Sequence, residues 1–253
     1  MREILDRVAA GDLSPAEAEV QLRGYATTDA GRFDAAREQR RGVPEAILAD
    51  EKTPTEVADL AATAVETTGR AVVTRVDADV VAAISDEFGD TPATVDHDHR
   101  AKTVTVHGES FDPPTLDATV GIVTGGTSDA AVGGEAAVIA REMGATVEFV
   151  EDVGVAHLGR VLDHLDTLRD ADVLVVAAGR EGALPTVVAG LVDTPVIGLP
   201  VPTGYGAGGE GHAALDGMLQ SCTILSVVNI GAGFVAGAQA GLVARAVDGA
   251  RSE

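Results

Sequence analysis

The sequence predicts an α/β protein in which a parallel five-stranded sheet carries helices on both faces and follows a small amino-terminal α/β unit. From residue 117 onward, five short apolar runs rich in β-branched residues alternate with helical stretches. The runs show little alternation of polar and apolar residues, as expected of strands covered on both faces. Alternation of strands with helices favours a parallel sheet. The five predicted strands are 119–124, 146–150, 173–177, 196–199 and 223–230.

The amino-terminal region opens with helices. The first 24 residues are predicted to be helical, because S-P-A-E at 14–17 is a capping box with proline at the first helical position. The charged stretch 27–41 is predicted to be helical from about Phe33. T-P-T-E at 53–56 repeats the start signal and predicts a helix as far as about Thr68.

A small α/β unit continues from there to a linker. The patterns predict a strand at 71–76, a helix at 79–88 and a strand at 103–107. The segment 108–116 contains two adjacent prolines, which neither a helix interior nor a central strand accepts. We therefore predict two domains, 1–116 and 117–253.

The last helical stretch has an alternative interpretation. Residues 223–247 carry glycines at GxxxGxxxG spacing, which is also typical of a dimerising transmembrane helix. Asn229, Gln239 and Arg245 inside this run argue against a membrane span, and its β-branched first half favours a strand. We predict a strand followed by a closely packed helix from about Phe234. The other helices of this domain are expected at 129–143, 156–168, 184–191 and 209–219.

The composition excludes some partners. Forty Asp and Glu face 18 Lys and Arg, a formal net charge of −22 that repels phosphate backbones, so we expect no nucleic-acid partner. Lysine occurs only twice, and we interpret the acidity as adaptation to high salt; an acidic functional surface is the alternative. A single cysteine and the absence of an apolar leader in MREILDRVAAGD predict a cytoplasmic protein with no membrane partner.

Ligands of such sheets bind beyond the carboxyl ends of the strands, at the point where the strand order reverses. The first strand is followed by Gly125, Gly126, Thr127, Ser128 and Asp129 at a helix start. The two glycines let the backbone approach a ligand, Thr127 and Ser128 offer hydroxyl groups, and the helix start offers free amides. This combination predicts a phosphate site. The alternative is that Asp129 merely caps the helix.

The second and third strands also end in candidate residues. His157 follows the second strand and is either structural or catalytic. Arg180 and Glu181 follow the third strand and precede Gly182. They form either a surface ion pair or a functional pair, in which Arg180 holds an anion and Glu181 serves as acid or base.

Two further features lie near the carboxyl terminus. After the fourth strand, Pro202 and Gly204 begin a glycine-rich loop with the composition of an active-site lid or of an ordinary flexible loop. Cys222 is either a small buried hydrophobic residue or, because its neighbours are polar, an accessible thiol.

Several motifs resemble those of aminoimidazole ribonucleotide (AIR) carboxylases, which have a flavodoxin-like fold. From residue 117 onward these are G-G-x-S-D, V-A-H, G-x-x-G-x-L-P and PVIGLPVP with the glycine-rich loop behind it. More closely, the chain from about residue 33 resembles the LarB family of pyridinium-3,5-biscarboxylic acid mononucleotide synthases of nickel-pincer cofactor biosynthesis. R-G-V-P-E at 41–45, K-T-P at 52–54, GIVTGGTSD, GREGALP and SCTILSVVNIGAGFVAG carry that resemblance.

The resemblance implies an activity. The substrate would be nicotinic acid adenine dinucleotide, carboxylated at C5 of its pyridinium ring with CO2 or bicarbonate as co-substrate and cleaved at the phosphoanhydride to release AMP. No organic cofactor is expected. Related enzymes are octamers, which implies a homo-oligomer here.

Roles follow for the candidate residues. Cys222 is the expected nucleophile and Glu181 the expected base. Ser128 and Asp129 are expected to hold the phosphate end, with Asp129 as a ligand for Mg²⁺. His157 would line the pocket, and Arg41 would close over the substrate.

The sequence leaves two rival functions open. One is a purine-pathway AIR carboxylase or mutase on the same fold. The other is a non-catalytic nucleotide-binding module.

Overall fold

The computed structural model describes residues 2–252, and the backbone only of Ala16. The chain divides into two compact units, which we call unit 1 (up to Asp112) and unit 2 (from Pro113). The prediction placed the domain boundary after Leu116.

Unit 1 is a small α/β structure whose sheet has the strand order β3-β4-β6-β5, with a separate β1–β2 hairpin. β3 and β4 are parallel and the other pairs of that sheet are antiparallel. Its strands are β1 (Ala26–Thr28), β2 (Gly31–Phe33), β3 (Ile47–Leu48), β4 (Arg70–Thr74), β5 (Thr94–Asp98) and β6 (Thr103–His107). Its helices are α1 (Arg2–Ala10), α2 (Pro15–Arg23), α3 (Arg37–Arg41), α4 (Pro54–Thr68) and α5 (Ala78–Phe88).

Both predicted capping boxes are present. At the start of α2, the Ser14 hydroxyl accepts a hydrogen bond from the Glu17 amide (3.1 Å), and the Glu17 carboxylate accepts one from the Ser14 amide (2.7 Å). The same reciprocal pair opens α4 at Thr53 and Glu56. Each bond satisfies a donor that the first helical turn leaves without an intrahelical partner.

Part of the prediction for unit 1 is wrong. The helix predicted from about Phe33 begins only at Arg37, because Phe33 ends β2. Thr28 accepts hydrogen bonds from the Ala30 and Gly31 amides and turns the chain into the β1–β2 hairpin, which the sequence did not reveal. Within 27–41 only α3 is helical. The sequence also did not reveal two strands. β3 has only two residues, which is too short to show a pattern, and β5 is an edge strand of mostly polar residues without an apolar pattern.

Unit 2 contains the larger sheet. Its strands are β7 (Thr119–Thr124), β8 (Thr146–Val150), β9 (Val173–Ala178), β10 (Val196–Pro200) and β11 (Ser226–Val227). Its helices are α6 (Ala130–Glu142), α7 (Gly159–Leu162), α8 (Leu165–Asp170), α9 (Ala183–Ala189), α10 (His212–Leu219) and α11 (Gly233–Arg251), with single 3₁₀ turns at Thr127–Asp129 and Val155–His157.

The predicted fold class is confirmed. The sheet has the order β11-β10-β9-β7-β8 and every pairing is parallel. Buried side chains of α6 and α11 cover one face, and those of α7–α10 cover the other. The chain leaves β7 toward β8 at one edge and then returns to β9 on the other side of β7. The strand order therefore reverses between β7 and β9, where a ligand crevice is expected.

Two elements of unit 2 differ from their predictions. β11 pairs over two residues instead of 223–230, and Ile224 in front of it is 96% exposed, so this part of the apolar run is not sheet core. The helix predicted at 156–168 is broken into a 3₁₀ turn, α7 and α8. Only Val161 and Leu168 are buried in it, and this burial is too little to stabilise one continuous helix.

The glycine-spaced helix packs inside unit 2. A side chain at Gly237 would collide with the backbone of Ala136 in α6, and one at Gly241 would lie 2.5 Å from the sulfur of Met143. The spacing thus allows close approach of α11 to α6. Within residues 2–252 we find no helix with the length and apolar character that crossing a bilayer requires.

Candidate active site

A cleft of about 510 Å³ opens at the carboxyl ends of the unit 2 strands, where the strand order reverses. Loops that follow β7, β8, β9 and β10 all contribute to its wall. Of the predicted site residues, the structure brings seven together there: Gly125, Gly126, Ser128, Asp129, Arg180, Glu181 and Gly204.

Other predicted site residues do not line this cleft. Four of them are chain neighbours of wall residues without belonging to the wall themselves: Thr127, His157, Gly182 and Pro202. Arg41 is the last residue of α3 in unit 1 and is exposed. Cys222 lies in the segment between α10 and β11.

Asp129 joins two of the loops that form the cleft. Its carboxylate accepts hydrogen bonds from the Gly126 amide (2.9 Å), the Ser128 hydroxyl (3.3 Å) and the Thr203 hydroxyl (3.3 Å). The residue is 4% exposed. Asp129 therefore does more than cap a helix, because it links the loop after β7 to the loop after β10.

Burial dominates the ionisation of Asp129. Loss of solvent raises the pKa of its carboxyl above the ordinary 3.8, and the hydrogen bonds from Gly126, Ser128 and Thr203 oppose that shift without cancelling it. A carboxyl with a raised pKa binds its proton more tightly in the folded protein than in the unfolded chain. The stabilisation that this proton gives is complete below pH 3.8 and is lost as the pH rises through the folded-state pKa.

The direction of this pH dependence can be measured with the variant Asp129→Asn, whose side chain cannot ionise. We expect the free energy of unfolding of the native protein, minus that of the variant, to fall as the pH rises from about 4 to about 7. Chemical denaturation at constant high salt gives both quantities. A difference that rises with pH would show that the carboxylate is stabilised and its pKa lowered.

Two glycines allow the loops of the cleft to approach each other. A side chain at Gly154 would lie 2.6 Å from the carbonyl oxygen of Gly125, so the loops after β8 and β7 touch backbone to backbone. A side chain at Gly179 would overlap the Thr203 hydroxyl. These approaches fix the shape of the cleft, and they explain glycine at both positions without a ligand.

The backbone amides proposed for the predicted phosphate site are not free. The Gly125 amide donates to the Ala177 carbonyl (3.1 Å) and the Gly126 amide donates to Asp129, so both are already engaged. A phosphate in this cleft would be met instead by the Ser128 and Thr203 hydroxyls, which can turn from Asp129 to a ligand, and by Arg180.

Arg180 and Glu181 do not form the surface ion pair that was the alternative for them. The Arg180 guanidinium carbon lies 4.5 Å from the centre of the Tyr205 ring, and no carboxylate within residues 2–252 makes a salt bridge with it. The backbone of Arg180 is left-handed (φ 53°), which is a strained conformation for a residue with a side chain. Both Arg180 and Glu181 are exposed at the cleft and available to a ligand.

Sequence reasoning did not single out Thr203 and Tyr205 as candidate site residues. Both belong to the wall of the cleft. The signal was present, because they follow a predicted strand closely, but the glycines of the loop drew the interpretation toward mobility. His157 is exposed, and its ring packs over Gly159, so its role remains a prediction.

Cys222 is not the buried hydrophobic residue of the alternative interpretation. Its side chain is exposed. The neighbouring Ser221 hydroxyl is hydrogen-bonded to the Thr186 hydroxyl of α9 (2.9 Å) and to the Thr223 hydroxyl (2.7 Å), which fixes the segment beside α9. The segment enters β11 at its amino-terminal end, whereas the cleft lies at the carboxyl ends. The thiol is accessible without lining the cleft of its own chain.

The residues around Asp129 offer little to a magnesium ion. Both oxygens of Asp129 accept hydrogen bonds from protein groups, and residues 2–252 hold no cluster of three or more His, Cys, Asp or Glu side chains able to bind a metal ion. A Mg²⁺ ion here would have to be held mainly by substrate phosphates and water. The ion remains a prediction.

Comparison with known proteins assigns a family to each unit separately. Residues 25–109 match the LarB/PurE-like N-terminal domain, and residues 119–253 match AIR carboxylase. An uncharacterized protein of Methanocaldococcus jannaschii is 34% identical over 254 residues, which cover 97% of each chain.

Proposed function

This chain belongs to the LarB/AIR carboxylase family, and from that membership we propose that it carboxylates nicotinic acid adenine dinucleotide at C5 of the pyridinium ring and cleaves the phosphoanhydride to release AMP. The product would be a dicarboxylated pyridinium mononucleotide, the type of intermediate that nickel-pincer cofactor biosynthesis needs.

One observation carries the proposal: an AIR carboxylase domain follows a LarB/PurE-like N-terminal domain in the same chain. A stand-alone purine carboxylase would lack those first hundred or so residues and would have no use for an exposed cysteine at position 222. A nucleotide-binding module without activity would need neither the thiol nor Glu181.

The chemistry requires a nucleophile and a base. A pyridinium ring is electron-poor, so its C5 cannot attack CO2 directly. Addition of a thiolate at C4 forms a carbon–sulfur bond, removes the positive charge and makes C5 nucleophilic like an enamine carbon. C5 then attacks CO2. Loss of the C5 proton to the base and departure of the thiolate restore the aromatic ring, so the net change replaces C–H by C–COO⁻ and releases a proton.

Residues of the cleft fit the remaining tasks. Glu181 is the exposed carboxylate of the wall and takes the C5 proton. Arg180, which makes no ion pair among the described residues, holds an anionic group of the dinucleotide. The Ser128 and Thr203 hydroxyls hold the phosphate end.

The thiol comes from a neighbouring copy in this proposal. Cys222 is exposed but does not line the cleft that holds Glu181 of the same chain, so we propose that a second copy brings its thiol to that cleft. The homo-oligomer expected from the family would supply it.

Incubation of the protein with nicotinic acid adenine dinucleotide and isotopically labelled bicarbonate tests the function. We expect mass spectrometry to show AMP and a mononucleotide that has gained one labelled carboxyl group. A second reaction with EDTA tests the metal: loss of AMP release would show that a divalent cation is required, and unchanged release would exclude an essential one. Turnover of aminoimidazole ribonucleotide alone would show a purine enzyme, and binding without AMP would show a non-catalytic module.

A further inference from the structure

Tyr205 is placed unusually for a large aromatic residue. It is 81% exposed, and it lies in the wall of the cleft with the guanidinium carbon of Arg180 4.5 Å from its ring centre. A ring that is so exposed gains little from burial, so its position is explained by what it contacts.

The partner of Tyr205 is a cation in a very acidic protein. Forty Asp and Glu compete for 18 Lys and Arg, yet Arg180 is held by an aromatic face and makes no salt bridge within residues 2–252. An aromatic face attracts a guanidinium through its quadrupole and does not neutralise its charge. The Tyr205 hydroxyl also interacts with Arg180, and a guanidinium has five N–H donors, so donors remain for a ligand. A carboxylate in the same place would neutralise the charge.

The loop that carries Tyr205 is fixed on one side of this residue. Thr203 donates to Asp129 (3.3 Å) and packs against Gly179, which anchors the loop next to Arg180. Gly204 and Gly206 on either side of Tyr205 have φ of 124° and 83°, conformations that side chains rarely adopt. The chain therefore makes two sharp bends, and these bends set the ring against Arg180.

We propose that Tyr205 is a positioning residue that holds the Arg180 guanidinium at the mouth of the cleft, in a fixed orientation and unneutralised, for an oxyanion of the ligand. This deepens the proposed function and rests on it for the identity of the ligand. The oxyanion is either the carboxylate of the nicotinate ring or a phosphate, since a guanidinium binds both in the same bidentate manner.

Binding measurements test the proposal without requiring turnover. Calorimetry of the full chain would compare nicotinic acid mononucleotide, nicotinamide mononucleotide and inorganic pyrophosphate. We expect Tyr205→Ala to raise Kd by about three- to fivefold, in line with a cation–π contact at an exposed site. Tyr205→Phe keeps the aromatic face and loses only the contact of the hydroxyl with Arg180, so its Kd should lie closer to the native value than to that of Tyr205→Ala. An effect confined to nicotinic acid mononucleotide identifies the ring carboxylate, and one that includes pyrophosphate identifies the phosphate.

The Arg180→Ala background separates positioning from direct contact. There, Tyr205→Ala should cause no further loss of affinity, because the residue acts through Arg180. Tyr25→Ala is the matched control: it removes another aromatic–arginine contact, with Arg32 at 5.2 Å, from a residue outside the wall of the cleft, and Kd should not change. Three results would overturn the proposal. The first is an unchanged Kd in Tyr205→Ala, and the second is a further rise in Kd when Tyr205→Ala is added to Arg180→Ala. The third is that none of the probes binds. None of these results depends on whether the dinucleotide is carboxylated.

Discussion

Replacement of Cys222 by alanine is expected to lower carboxylation of nicotinic acid adenine dinucleotide by at least about 10³-fold, because in the proposed mechanism its thiolate forms the bond to C4 that makes C5 nucleophilic. The chain contains a single cysteine, so no second thiol can take its place. Because the side chain is exposed, its truncation leaves no cavity and should cost little stability. Labelled bicarbonate incorporation measures the loss.

Ile224→Ala is the matched control for this variant. Ile224 lies in the same segment, is 96% exposed and should tolerate truncation with nearly native turnover. Circular dichroism and the unfolding midpoint should be the same for both variants and the native protein. Carboxylation that survives in a folded Cys222→Ala protein would remove the covalent mechanism. A loss that the Ile224 variant shares would indicate a structural effect of the segment.

The fold of unit 2 could be predicted because its signals are local and strong. Four of the five strands bury most of their residues or lie beside buried strands, so apolar β-branched runs mark them in the sequence. The length of β11 was overestimated because the apolar run before it was taken as sheet core. Ile224 in that run is almost fully exposed, and only the tertiary structure decides whether an apolar residue is buried. The hairpin of β1 and β2 was missed because its strands have only three residues each and its turn depends on the Thr28 hydroxyl, which carries no apolar signal.

The sequence placed residues at the cleft correctly where they directly follow strands, while their roles stay predictions. Asp129, Arg180 and Glu181 were singled out because the carboxyl ends of parallel strands meet at one edge. The contacts among them were not predictable, since Thr203 reaches Asp129 across 74 residues of sequence and Tyr205 stacks on Arg180 from another loop. The position of Cys222 depends on how the segment after α10 packs against α9, which no local pattern specifies.

The separation of Cys222 from the cleft predicts complementation between two inactive variants. Cys222→Ala keeps Glu181, and Glu181→Gln keeps Cys222 while losing the base, which should lower kcat by about 10²-fold. If each active site takes its thiol from one copy and its base from another, mixed oligomers regain intact sites. Random assembly from equal amounts gives about one site in four with both groups, so the mixture should recover about a quarter of native activity.

The outcome depends on geometry alone, because neither variant changes the chemistry available at an intact site. Co-expression with two different affinity tags yields the mixed oligomer, and labelled bicarbonate incorporation measures its activity. A mixture of Cys222→Ala with Cys222→Ser contains no thiol at any site and should stay inactive, which controls for trace native protein. If verified mixed oligomers of the first pair stay as inactive as their components, the two groups act from the same chain. The segment carrying Cys222 would then have to move toward the cleft when substrate binds, since its thiol does not line that cleft in the structure.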